Sequence, residues 1–176
     1  MFLSRRNCGI CLLALALAVA LVGAGWTQTA PPPASEPAKV YAQAVAFLEQ
    51  AQQQLTAGNL SAALSLVKQS NELFTRLQKE SATALAARQL SAQDDQQLAI
   101  NQKLAADAQA QADRLIETAA AKKKRGQELQ AQGQAEAGDA AIRESREEYL
   151  QAQTLSIKSA IYALRNQQII FRFLAP

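Results

Sequence analysis

The sequence predicts an all-α protein, an elongated antiparallel bundle of about four long helices, and three observations predict it. The chain is rich in Ala, Gln, Leu, Lys, Arg and Glu, which favour helix, and only 5% aromatic, which leaves little strand-forming material. All five prolines lie at positions 31 to 37 and at 176, so no proline interrupts a helix from Ala38 to Ala175. Apolar residues return at three- and four-residue steps through most of that span.

Residues 1–25 precede the bundle and have the layout of a secretory signal peptide. Arg5 and Arg6 open it, an apolar run from Ile10 to Val22 follows, and Gly23-Ala24-Gly25 is a small-residue exit. The run is shorter than the ~20 residues of a membrane span. Cleavage is expected after Ala24 or Gly25, with Ala30 as a later position. The competing reading is an uncleaved anchor over residues 10–24, with Trp26 at the membrane interface. The expected location is therefore exported, periplasmic or extracellular.

Cys8 and Cys11 stand at or before the start of the apolar run, where a lipoprotein cysteine does not belong, and they leave with the leader. The mature chain then has no thiol, and with no histidine anywhere it has no imidazole. The 18 basic and 15 acidic residues include Arg5 and Arg6, so cleavage leaves a net charge of +1. That balance gives no reason to expect a nucleic-acid partner.

Residues 26–38, with Pro31-Pro32-Pro33 and Pro37, read as an extended linker, and residues 39–176 as one helical domain. Ser35 is placed to cap the first helix, expected over about 38–57. Val40, Ala44, Phe47, Leu48, Ala51 and Leu55 share one face of it. Gly58 supplies a positive-φ stop and Asn59 a cap for a second helix over about 60–90. So short a turn makes the pair antiparallel.

Within residues 44–77, Phe47, Ala51, Gly58, Asn59, Leu60, Ala63, Leu64 and Val67 stand at spacings that resemble a single tetratricopeptide repeat. The resemblance implies a helical hairpin whose small residues let the two helices touch, of the kind used for protein interaction. Gln50 and Gln54 depart from apolar or aromatic positions of that pattern, Ser70 from an alanine, and Thr75 from a helix-ending proline. A repeat array is not expected, because Ala141 to Tyr149 only echoes the pattern and lacks a correctly spaced glycine.

Ser91-Ala92-Gln93-Asp94 has the form of a capping box and opens a third helix over about 92–125. Its stripe of Leu98, Asn101, Ala105, Ala108, Ala112, Leu115 and Ala119 is a seven-residue repeat made mostly of alanine. Lys122, Lys123, Lys124 and Arg125 end that helix, either as a contact for an anionic surface or as cations at its negative end. Gly126, Gly133 and Gly138 read as turn material. Asp139 is expected to cap a last helix over about 139–174. Beyond Leu155 apolar residues occupy two faces of it, for which a core position, a partner surface and a membrane-surface contact are all open.

Chemistry is narrowly bounded. Without Cys or His the usual nucleophile–base pairs are missing, and no metal or cofactor site is expected. Asp113 and Glu117, four apart on one helical face, are a carboxylate pair placed for acid and base work. The expectation is a non-enzymatic scaffold or protein-interaction module of the cell envelope. The alternative is a membrane-associated or self-assembling coiled-coil protein, with membrane contact only through an uncleaved N-terminus or the last helix. The expected interaction surface is Leu60, Leu64, Val67, Phe74, Ile161, Ile170, Phe171 and Phe173, offered to a protein partner or to a second copy.

Overall fold

The computed structural model describes residues 35–175; the expected leader and most of the linker lie outside them. The described residues form helices and no strand. In order these are α1 (Glu36–Thr56), α2 (Leu60–Glu80), α3 (Ala82–Ala86), α4 (Ala92–Ala131), α5 (Ala135–Phe171) and a 3₁₀ turn (Arg172–Leu174).

The helices pair as two antiparallel hairpins, α1 with α2 and α4 with α5. At 1.5 Å per residue α4 runs about 60 Å and α1 about 30 Å. The C-terminal half of α5 packs on α4 and also on the first hairpin, because its apolar residues occupy two faces. Ile157, Ile161, Leu164 and Phe171 of α5 join Val40, Tyr41 and Leu48 of α1 and Val67, Phe74 and Leu77 of α2 in one core. Phe74 stacks on Phe171 at 6.0 Å between ring centroids, and Tyr41 meets Phe74 edge-on at 6.4 Å. No buried residue between Leu77 and Ile157 belongs to this core, so the outer half of the long hairpin projects beyond the first.

That core takes in most of the expected interaction surface. Val67, Phe74, Ile161 and Phe171 are buried, and Leu60, Leu64 and Ile170 are partly buried against them. Of the eight, Phe173 alone is exposed, at 40%.

Helix boundaries also moved. The second helix ends at Glu80 instead of continuing to 90; the five-residue α3 follows and buries nothing. Only Leu85 of that stretch reaches the core, too little apolar surface to hold a continuous helix. The third helix runs to Ala131, past the Lys122–Arg125 run, and the last begins at Ala135. Asp139 is inside α5, where its carboxylate accepts from Gln130 Nε2 at 2.7 Å. Asn59 and Ser35 hold N-cap positions without a side-chain cap, whereas Ser91 Oγ accepts from the Asp94 N–H at 3.1 Å.

The alanine stripe of α4 is the seam with α5. Asn101, Ala108, Ala112 and Ala119 are buried along it, facing Gly138, Ser145 and Ala152. Helices this close bring side-chain donors within reach of backbone. Ser145 Oγ donates to the Ala119 carbonyl at 2.7 Å, Ser159 Oγ to Ala105 at 2.9 Å, and Asn166 Nδ2 to Leu98 at 3.3 Å. The rungs fall at multiples of seven on both helices, an antiparallel heptad register.

The two hairpins also repeat one another. Gly58 and Gly133 close their turns at φ +78° and +80°. Gly58 N–H donates to Leu55 and Asn59 N–H to Gln54, at 3.1 and 2.9 Å; Gly133 N–H donates to Gln130 and Gln134 N–H to Leu129, at 3.0 and 2.9 Å. Ser70 Oγ donates to the Ala44 carbonyl at 2.8 Å, the counterpart of Ser145 on Ala119. Every one of these groups stands 75 residues before its counterpart, as Gly58 does before Gly133. At the same offset Gln52, Ala62 and Glu72 recur as Gln127, Ala137 and Glu147. The helix crossings use Ala51 and Ala63 in the first hairpin and Gly126 and Gly138 in the second. Gly133, which the sequence marks only as turn material, is thus the counterpart of Gly58.

Candidate functional site

Asp113 and Glu117 are both exposed on α4. Asp113 Oδ1 accepts from Gln109 Nε2 at 2.9 Å. Burial is one of the means that fit a carboxylate for acid–base work, and neither of the two is withdrawn from water. No group of three or more potential metal ligands occurs among the described residues.

The cationic run stands two turns inside α4, so its side chains point around the helix at about 100° per residue and form no single patch. Lys122 turns inward across the hairpin, its Nζ at 2.7 Å from Glu148 and 3.0 Å from Glu144. Hydrogen bonds that Lys122 donates to Glu148 and then to Glu144 push its pKa up. Lys124 reaches Glu128 only at 4.0 Å, and Lys123 and Arg125 are exposed. The run therefore supplies one clasp and three solvated cations, not the end of a helix.

At the other end of the bundle is a cluster that sequence reasoning missed. Arg172 pairs with Asp94, Arg88 Nη1 donates to the Ile169 carbonyl at 3.0 Å, and the Arg88 guanidinium lies 5.2 Å from the centre of the Phe173 ring. Tyr41 Oη donates to the Gln168 carbonyl at 3.2 Å. Burial raises the Tyr41 pKa against the opposing charges of Arg172 and Arg88. Burial also works to raise that of Asp94, but hydrogen bonds from Ser91 and the charge of Arg172 outweigh it and hold the carboxyl below its usual range. The cluster latches the chain end and the 87–91 connection to the start of α4. The only sequence signal was Arg88, Arg172 and the neighbouring Asp94 and Asp95, in stretches with few other charges.

Beside it a polar recess of about 380 Å³ is bordered by Gln97, Asn101, Tyr162, Arg165 and Gln168. Its polar groups are largely spent on each other: Gln97 Nε2 donates to Asn101, and Arg165 Nη1 to Gln168.

An apolar recess of about 510 Å³ opens where the outer half of the long hairpin leaves the first hairpin. Leu64 of α2, Ile116 of α4 and Tyr149, Ala152, Ile157 and Ala160 of α5 border it. Ile116 and Tyr149 remain 42% and 38% exposed. With Leu150 alongside at 56%, they are large apolar side chains left open on a hairpin otherwise sealed by alanines. Sequence periodicity places Ile116 just off the α4 seam but gives no hint that Leu64 stands beside it.

Comparison of the chain with protein-family models, with curated proteins and with solved structures returned no match.

Proposed function

We propose that this chain is an exported, non-enzymatic helical scaffold that serves as a protein-interaction module of the cell envelope. The observation that carries the reading is the uncovered pair Ile116 and Tyr149 at the mouth of an apolar recess, on a frame whose other large apolar residues mostly fill a core. Apolar side chains left open together beside a recess are a common mark of a surface that another molecule covers. The leader pattern of residues 1–25 supports export, and the tetratricopeptide-like spacing over residues 44–77 supports a helical interaction fold. No helix among the described residues is long and apolar enough to cross a membrane.

Affinity capture from an envelope extract tests the reading. The wild-type chain is expected to retain a protein that the doubly substituted Ile116→Glu, Tyr149→Ala chain loses; equal recovery by both would remove these residues from the function. Sequencing the mature N-terminus tests export: a start at Gly25 or Trp26 is expected, and an intact Met1 in a cytosolic fraction would contradict it.

Self-assembly is the second reading, favoured by Ile100 and Leu104 of α4, which stand 44% and 39% exposed beside the seam. Light scattering decides it, because a strict monomer at high concentration removes it.

A further inference from the structure

The repeat relation between the hairpins shows what the open surface lacks. In the first hairpin Tyr41 and Phe74 form a shelf that α5 covers with Phe171, leaving them 7% and 1% exposed. Their counterparts 75 residues on are Ile116 and Tyr149. Val40 and Leu77 become Leu115 and Ala152, so the base of the second shelf keeps its apolar character. One edition of the surface is covered by an amphipathic helix, and the other is open.

Further along, the two editions differ in charge. Leu48, fully buried, becomes Lys123, and Asn71 becomes Arg146. Lys123 lies two turns beyond Ile116 on α4, and Arg146 one turn before Tyr149 on α5, so each continues the face of its shelf residue. Neither makes an ion pair among the described residues, unlike Lys122 alongside. Two acidic side chains stand on the same faces: Asp113, one turn on the other side of Ile116 and bonded to Gln109, and Asp139, two turns beyond Arg146 and bonded to Gln130. The open shelf thus passes from an apolar floor to a pair of cations with no counter-charge of their own.

We propose that the Ile116–Tyr149 shelf docks an acidic amphipathic helix of a partner protein, with one apolar side chain in the recess and carboxylates toward Lys123 and Arg146. Phe171 performs the apolar half of that role on the first hairpin. The occupant differs from α5 in charge: the span from Leu150 to the C-terminus carries Lys158, Arg165 and Arg172 and no carboxylate. A second copy offering that helix would set like charges against Lys123 and Arg146. The spacing from Ile116 to Lys123 is about 10 Å along the helix, so the acid follows the apolar anchor by about seven residues.

The assignment rests on reading the chain as an interaction module. Two fluorescein-labelled peptides of about 18 residues, five helical turns, share one apolar stripe and differ only in flanks of glutamate or lysine. Titrated with the full mature chain and followed by anisotropy, the glutamate peptide is expected to bind at least about tenfold more tightly than the lysine peptide. Ile116→Glu, whose site is exposed and whose helicity circular dichroism checks, is expected to abolish glutamate-peptide binding. Lys123→Glu with Arg146→Glu should reverse the preference. Equal binding of the two peptides, binding unaffected by Ile116→Glu, or no binding by about 1 mM would overturn the proposal. A dimer of the chain that Ile116→Glu dissociates would also overturn it, in favour of a second copy as occupant. Failure here alongside successful, shelf-independent capture from the envelope would sink this site alone; failure to capture any protein would sink the wider reading.

Discussion

Gly126 and Gly138 sit where α4 and α5 cross, and the absence of a side chain there is what permits the approach. A Cβ on Gly138 would meet Gln130 Cγ at 2.5 Å and the Gly126 carbonyl at 2.7 Å; one on Gly126 would meet the Gly138 carbonyl at 2.9 Å. Gly138→Ala is therefore expected to destabilise by about 1–3 kcal/mol, although alanine is the better helix former by about 1 kcal/mol. Gly133→Ala meets nothing within 4 Å, and its cost is backbone strain at φ +80°, about 1–2 kcal/mol. Chemical denaturation of the two variants separates these causes, since seeding the turn with Asn should recover Gly133 but not Gly138. These three glycines also mark where the sequence stopped being legible. One makes a turn and two permit close approach, and in a stretch of alanine and glutamine nothing local distinguishes the roles.

Asp94 is the residue whose ionisation should matter most. Its carboxyl titrates below the ordinary aspartate value of ~3.9, so its contribution is complete above that pH and is lost as the pH falls through the lowered folded value. Asp94→Asn is expected to lower the melting temperature at neutral pH and to flatten its decline in acid. An unchanged acid profile would show that the latch to Arg172 contributes nothing.

Among the helices, the first hairpin was readable because a single glycine divides two clear apolar stripes, and the α4 seam because its alanines keep a strict seven-residue step. The pairing of α5 with α1 and α2 was not readable, since it joins Ile157–Phe171 to residues some 100 positions earlier and periodicity reports a face, not what covers it. Phe74→Ala, in the stack with Phe171, should cost about 3–5 kcal/mol. Leu64→Ala, at the half-open edge of the recess, should cost clearly less, and equal losses in a urea melt would mean that the recess is closed in solution. The clasp across the long hairpin has its own signature. Lys122→Met should lower the melting temperature more than Lys123→Met, because only Lys122 is bound by two glutamates.

The described residues are one hairpin written twice, with the C-terminal half of α5 packed on both copies. That half covers the first edition and leaves the second uncovered, so the asymmetry between equivalent surfaces follows from having one covering helix for two shelves. A photo-crosslinking amino acid placed at position 149, and in a separate chain at its counterpart position 74, reads this asymmetry in the native envelope. Adducts to another protein are expected from position 149, while position 74 should crosslink only within the chain. No intermolecular adduct from 149, or the same adducts from both positions, would contradict the account.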